Sequence, residues 1–405
     1  MPKAKFAEGV FAINKPRGIS SAQVVRELQH AFNPSKLFAS WIEAEKAARK
    51  ELSANQRNRR KDKRVQVKIG HGGTLDPLAT GVLIAGVGNG TKQLQGFLEC
   101  TKAYETVLLF GAATDTYDGE GKVLSKAPYA HVTREAVEKA LTDYRGKIMQ
   151  RPPLYSALRV QGKRLYEYAR EGKEVPTEIM ERPVEVQSLE IVEWLEGGNH
   201  SYKWPMQEAE KAEKVVADKV LHLSNVLPKT ETRSSSPTGP NQGTCISTST
   251  NKRPLDEEDD LVSEKGPELK RAKEESDQLI LGGLQGSDGD ASKVTEITAT
   301  NSSKSPSSID GPPAVRLRMT VTSGFYVRSL CHDLGKAVGS LGMMSGLVRT
   351  RQGEFELSKN VLDYEDLGKG EAVWGPKVEG MLDEWERRHG MDDDERRNFK
   401  MEPSP

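Results

Sequence analysis

One carboxylate stands out by its setting. Asp76 lies inside GHGGTLDPLATG, at the centre of residues 68–92, on a short loop crowded with glycine and followed at once by Pro77. Glycines let a backbone approach a bulky ligand closely, and proline fixes the loop's direction. A carboxylate held this way can work as a general acid or base, or attack carbon directly. The plainer reading of an aspartate in a Gly/Pro loop is a side chain that caps local N–H groups. His71, five residues earlier, is the other group on this loop with chemical potential.

Several elements must position that loop. The apolar run GVLIAGV directly after it predicts a buried strand. GVFAINKP predicts a strand running into a turn, and Ser20 or Ser21 can cap the helix AQVVRELQHAF that follows. In that helix Val24, Val25, Leu28 and Phe32 recur at helical spacing, which marks the core face. YETVLLFG and VEVQSLEIVEW read as strands and TREAVEKALTDY as an amphipathic helix. Strands and helices mixed in this way indicate an α+β fold rather than a doubly wound parallel one.

Charge is segregated along the chain. The net charge is +0, yet residues 228–312 hold 10 Lys/Arg against 15 Asp/Glu, whereas residues 40–68 hold 10 against 4. That pattern suits an RNA-binding body carrying a solvated acidic insert. The hydrophobic fraction of 36% is below the globular norm, so part of the 405-residue chain is expected to remain unpacked. Residues 228–313, rich in Ser, Thr, Gly, Pro and acids, have the composition of disorder, and residues 208–227 are expected to lead into them as a helix. The three cysteines have no paired spacing, no His/Cys/Asp set has metal-ligand spacing, and no apolar run is long enough to span a membrane. The first residues lack a signal-peptide core. The expectation is a soluble, intracellular protein with no metal and no cofactor.

The blocks of this sequence resemble, in order, those of the TruB family of RNA pseudouridine synthases. GHGGTLDPLATG resembles the family's catalytic motif, and GVFAINKPRGISS its opening strand, Lys-Pro turn and helix start. KAYETVLLFGAATDTYDGEG resembles the strand carrying its active-site tyrosine, and RPPLYSALRVQGKRLYEYAREG and RPVEVQSLEI its middle segments. VTSGFYVRSLCHDLGKAVGS and LVRTRQGEFEL resemble its closing strand, helix and final turn. Eukaryotic members that modify position 55 of tRNA are the nearest likeness, because they carry a basic insertion before the motif and a long polar one later.

The resemblance implies a central, mostly antiparallel sheet with helices around a cleft. It divides the chain into a catalytic core (1–39, 68–227 and 314–375), a partly helical basic insertion (40–67), a disordered insertion (228–313) and a polar C-terminal tail (376–405) with no PUA module, and a short helix is expected after Leu357. It also implies an isomerisation in which the N1–C1′ bond of uridine is cut and the uracil rejoined through C5. Asp76 would initiate this, either by attacking C1′ or by removing a ribose proton. Arg328, in GFYVRSL, matches the arginine that pairs with the aspartate. Tyr104 matches the tyrosine on the uracil face that helps remove the C5 proton. Tyr326, two residues before Arg328 and expected on the same sheet face, matches a pocket-lining position, as does Leu347. His71 matches a histidine that contacts RNA around the flipped base. Lys15 and Pro16 match an architectural turn, with Lys15 also a candidate phosphate contact.

The partner implied is the T-arm of tRNA, with T-loop-like mRNA sites as further targets, and the protein is expected to be a monomer. RNRRKDKR in the first insertion is expected to touch RNA. NKRP and LKRAK are candidates for a bipartite nuclear import signal, which favours the nucleus over the mitochondrion or cytoplasm. GVGNGTK fits neither the Walker spacing nor GxGxxG, so nucleotide binding is excluded. Asp115 and Asp118 offer the two carboxylates a glycosidase needs, but they fall on a turn the resemblance explains as structural. The rival from another class is a non-catalytic chaperone that binds and refolds tRNA arms.

Overall fold

The computed structural model describes residues 6–53, 64–173, 175–210 and 311–390. Most of RNRRKDKR, the NKRP and LKRAK clusters, nearly all of the 208–227 and 228–313 segments and the last 15 residues lie outside the described residues. Strand β1 (Gly9–Lys15) leads into helices α1 (Ser21–Phe32) and α2 (Ala39–Glu51). Then come β2 (Ile69–His71), β3 (Thr80–Val87), α3 (Leu94–Glu99), β4 (Lys102–Phe110), β5 (Ala112–Thr114), β6 (Val123–Lys126) and α4 (Arg134–Leu141). The chain continues through β7 (Gly146–Gln150), β8 (Arg159–Val160), β9 (Lys163–Arg164), α5 (Leu165–Arg170) and the long β10 (Arg182–Leu195). It closes with β11 (Ala314–Val321), α6 (Val327–Ala337), β12 (Gly342–Gln352), β13 (Phe355–Glu356), β14 (Val361–Asp363) and α7 (Glu371–His389).

The main sheet runs β14-β1-β3-β12-β4-β11-β10-β7, with β2 on β3 and β13 on β12. Neighbours are antiparallel except β1–β14 and β3–β12, so the sheet is mostly antiparallel, as expected for the α+β class. Strand β3 is buried on both faces, which is why its sequence is a continuous apolar run rather than an alternating one. Leu195 of β10 pairs with Ala314 of β11, so the two ends of the intervening stretch are neighbours in the sheet. Loop-closure entropy grows only slowly with length, so such an insertion is tolerated.

The helices form where local chemistry asks for them. Ser20 accepts from the Gln23 N–H and Thr133 from the Ala136 N–H, capping α1 and α4. Phe32, Phe38 and Trp374 stack at 4.6 and 4.9 Å centroid separation, tying α1, the start of α2 and α7 into one core. The basic excursion is helical in its first half, where Ile42 is buried and Trp41 donates to Glu8.

Two expectations change. Tyr326 and Arg328 are not on one sheet face: β11 ends at Val321, Gly324 turns the chain at φ +79°, and Tyr326 is the N-cap of α6. The side-chain amide of Gln150 holds both the N–H and the carbonyl of Tyr326, which fixes where that helix begins. The helix near the C-terminus is 19 residues long and crosses the expected 375/376 boundary. It buries Trp374, Val378, Leu382 and Trp385 at helical spacing, so it belongs to the core rather than to a polar tail.

Candidate active site

A loop without a ladder of its own must still find partners for its carbonyls. The loop from Gly72 to Ala79 finds them in side chains reaching from three elements. Lys15 at the end of β1 is fully buried, and its ammonium donates to the carbonyls of Pro16 (2.8 Å), Pro77 (3.3 Å) and Ala79 (2.6 Å). The Ser21 hydroxyl donates to the Leu75 carbonyl and accepts from the Leu75 N–H. Arg349 of β12, 1% exposed, donates from Nε to Val82 O (2.7 Å) and from Nη2 to Gly73 O (3.4 Å). Gln352 donates to the carbonyls of Gly72 and Phe97. Gly73 itself has φ +125°, a conformation that favours glycine. This scaffold turns Asp76 outward, its side chain 33% exposed.

Arg328 meets it from the first turn of α6. Its Nε lies 2.8 Å from Asp76 Oδ2 and its Nη2 donates to Oδ1 at 3.2 Å, a two-point fork. Two further donors go to the carbonyls of Thr116 (Nη1, 2.9 Å) and Tyr155 (Nη2, 2.9 Å). The guanidinium is therefore locked on three sides and only one carboxylate conformation satisfies it. A second carboxylate, Asp118, stands 3.9 Å from Nε. Burial raises its pKa above the ordinary value, against the Thr116 hydroxyl (2.6 Å), Arg328 and the Glu120 N–H, which pull it back.

Tyr104 on β4 pairs with Arg349 on β12, and Thr106 with Leu347, so these four side chains share one sheet face. Arg349 reaches Gly73 from that face, which places Tyr104 and Leu347 under the Asp76 loop, each 7% exposed. No hydrogen bond to the Tyr104 hydroxyl is found among the described residues. His71 ends β2, with its Nδ1 buried and unpartnered. Burial, reinforced by the Arg349 charge, holds its imidazole below the ordinary value, so it is neutral near pH 7. Tyr326 is half-buried next to Arg328. Lys15 is not available as the expected phosphate contact: its three N–H donors are all spent on backbone carbonyls.

The sequence reading passed over Asp118 as a turn residue and did not single out Arg349 or Gln352. A signal for Arg349 was present, since it lies two residues from Leu347 in a strand and must share its face. Nothing local marked Asp118, whose neighbour Arg328 is far away in the chain. The four loop-holding side chains and the Asp76–Arg328–Asp118 line form a rigid, water-accessible carboxylate site that needs no loop rearrangement to present one oxygen lone pair per side.

Residues 59–206 match the profile of the TruB family pseudouridylate synthase (N terminal domain). The chain is 38% identical over 368 residues to tRNA pseudouridine synthase 4 of Schizosaccharomyces pombe, covering 89% of this chain and 82% of that protein. It is 34% identical over 386 residues to tRNA pseudouridine synthase 4 of Saccharomyces cerevisiae, covering 93% and 85%. It is also similar to pseudouridylate synthase TRUB1 of Mus musculus, at 41% identity over 46% of this chain and 50% of that one. With two relatives above 30% identity along nearly the whole of both chains, this protein belongs to the TruB family of pseudouridine synthases.

Proposed function

We propose that this protein isomerises uridine to pseudouridine in tRNA, at position 55 of the T-loop, with Asp76 as the reacting carboxylate. The observation that carries the reading is the two-point clamp of Arg328 on Asp76 at the exposed end of a loop held by buried side chains. Binding RNA alone requires no such clamp on an acid. The fungal relatives that align along most of this chain are named as tRNA pseudouridine synthases, which supports tRNA as the substrate class.

The reaction breaks N1–C1′, forms C5–C1′, removes the proton on C5 and leaves one on N1, so it needs no redox partner and no energy donor. Arg328 takes one lone pair of each Asp76 oxygen and leaves the other free, either to attack C1′ or to take a ribose proton. Tyr104, on the sheet face beneath the loop, is positioned to lie against the uracil, and its hydroxyl is the candidate to relay the C5 proton. Leu347 beside it supplies apolar contact, and Tyr326 borders the Arg328 side. A uridine in a folded loop must be turned out of its stack to reach this depth, at a cost of about a few kcal/mol recovered by stacking and by contacts to the flanking nucleotides. His71 and the basic insertion of residues 40–67, through RNRRKDKR, are proposed to hold those nucleotides.

The test uses an unmodified tRNA transcript tritiated at uridine C5, with tritium release followed for wild type and Asp76→Asn. Release by wild type alone, mapping to position 55 by pseudouridine-specific chemistry, is the expected outcome. Tight binding of the same tRNA with no release by wild type would replace this reading with the chaperone.

A further inference from the structure

We infer that Arg17 is a phosphate-binding residue for the reacting nucleotide, and that Glu120 occupies it in the free protein as an internal stand-in for the phosphate. This rests on the proposed activity on RNA and deepens it by naming a contact at the rim of the site.

The geometry joins two walls of one opening. Arg17 follows the Lys15–Pro16 pair, the Lys15 ammonium donates to the Asp76 loop at Pro77 O and Ala79 O, and the N–H of the next residue, Gly18, donates to Pro77 O at 2.8 Å. Arg17 is therefore carried by backbone fastened to the residue after Asp76. On the other wall, the N–H of Glu120 donates to Asp118 Oδ1 at 3.1 Å, so Glu120 is carried by the turn that holds Asp118. Between the walls lies Arg328, 2.8 Å from Asp76 and 3.9 Å from Asp118. Arg17 Nη2 and Glu120 Oε1 meet at 3.6 Å across this gap, and both side chains face solvent, at 62% and 56% exposure.

An ion pair this exposed contributes little to stability, so its presence is weakly explained by folding. It is also easily exchanged. A uridine with C1′ at Asp76 has its phosphates one ribose away, at the rim and not in the pocket. A phosphate there offers a guanidinium two or three oxygens in place of one carboxylate, and it releases condensed counterions as it binds. Glu120, freed, returns to water. Lys15 cannot serve this purpose, since its donors are spent inside the loop. Glu120 has the opposite sign for RNA, and in the free protein it both orients Arg17 and repels anions that do not engage it.

The two residues therefore make opposite predictions. Affinity for the tRNA transcript is measured against salt concentration for wild type, Arg17→Gln, Arg17→Lys, Glu120→Gln and the double variant, with melting temperatures as a check on folding. Arg17→Gln should weaken binding several-fold and reduce the slope of log K against log salt by about one, as expected for loss of one phosphate contact. Arg17→Lys should restore the slope. Glu120→Gln should tighten binding by about two- to five-fold, on the scale of an exposed ion pair, and the double variant should match Arg17→Gln alone. An unchanged slope in Arg17→Gln, or weaker binding by Glu120→Gln, overturns the proposal. Tritium release by wild type in the same preparation separates the two levels: its absence fells the activity itself, whereas release with an unchanged slope fells only the role of Arg17.

Discussion

Replacing Arg328 by lysine keeps the positive charge and removes the fork, which makes it a sharper perturbation than alanine. The guanidinium makes four short contacts, two to Asp76 and one each to the carbonyls of Thr116 and Tyr155. A lysine ammonium on a shorter reach can satisfy one wall at a time, so Asp76 keeps a neutralising neighbour but loses its fixed orientation. Removing one member of a buried pair costs about 3–5 kcal/mol, and because Asp76 is a third exposed the lower end applies to Arg328→Met, about 3 kcal/mol. At about 2–4 °C per kcal/mol for a body of this size, Arg328→Met should lower the melting temperature by roughly 6–12 °C. Arg328→Lys should lose less stability, roughly half of that, because charge is retained. Turnover should fall in both, since a displacement of about 1 Å in a reacting group costs on the order of 100-fold. Single-turnover tritium release at saturating tRNA, with affinity measured separately, tests this: the rate should drop about 100-fold in both variants while affinity stays within about three-fold. If Arg328→Lys keeps more than about a third of the wild-type rate, charge alone suffices and the geometric argument fails.

Tyr104→Phe should keep the fold, because the ring stays packed and no protein hydrogen bond to the hydroxyl is found among the described residues, yet lose most turnover; a normal rate would leave Tyr104 a packing role. Burial depresses the Lys15 pKa to about 8, the Asp76 carboxylate partly restoring it and Arg349 lowering it further. Above that pH the amine has two N–H donors for three carbonyls, so activity should fall with a one-proton slope. The folded pKa lies below the unfolded value, so the unfolded chain binds more protons between pH 8 and 10.5 and this group makes stability rise with pH there. Loss of activity that tracks a fall in melting temperature would refute the assignment. His332 is buried with neither ring nitrogen partnered, stacked on Tyr117 at 4.0 Å, and burial, with Lys336 adding, holds its pKa at about 3. Its stabilising neutral form is fully present above pH 6.5 and is lost as pH falls towards 3, so His332→Leu should gain about 2 kcal/mol over wild type between pH 7.5 and pH 5. Equal pH dependence of unfolding in the two proteins would show that His332 is not what makes the fold acid-sensitive.

Local chemistry made much of this protein legible. The Gly/Pro composition around Asp76 marks a fixed, approachable loop, because glycine and proline set backbone geometry without help from distant residues. The run GVLIAGV announces a strand covered on both faces, and Ser20 and Thr133 announce their helices, since capping is satisfied within three residues. The Asp76–Arg328 pairing was expected only through the family resemblance, since the two are 252 positions apart and nothing in either segment points to the other.

What only the tertiary structure decided is what lies around that pair. GFYVRSL is rich in residues that favour strands, yet Gln150 caps the chain at Tyr326 and starts a helix there, and that helix rather than a sheet face aims Arg328 at the carboxylate. Asp118 joins the site because β5 and β6 fold its turn back against α6, which no property of TDTYDGEG by itself requires. Lys15, expected in an architectural turn and as a candidate phosphate contact, becomes a buried strut because its ammonium meets the carbonyls of Pro16, Pro77 and Ala79 at that spot. Sequence specifies the groups and their immediate backbone through short-range forces. Which buried donors meet which carbonyls, and so whether a charge serves the fold or the substrate, is settled by contacts between segments far apart in the chain.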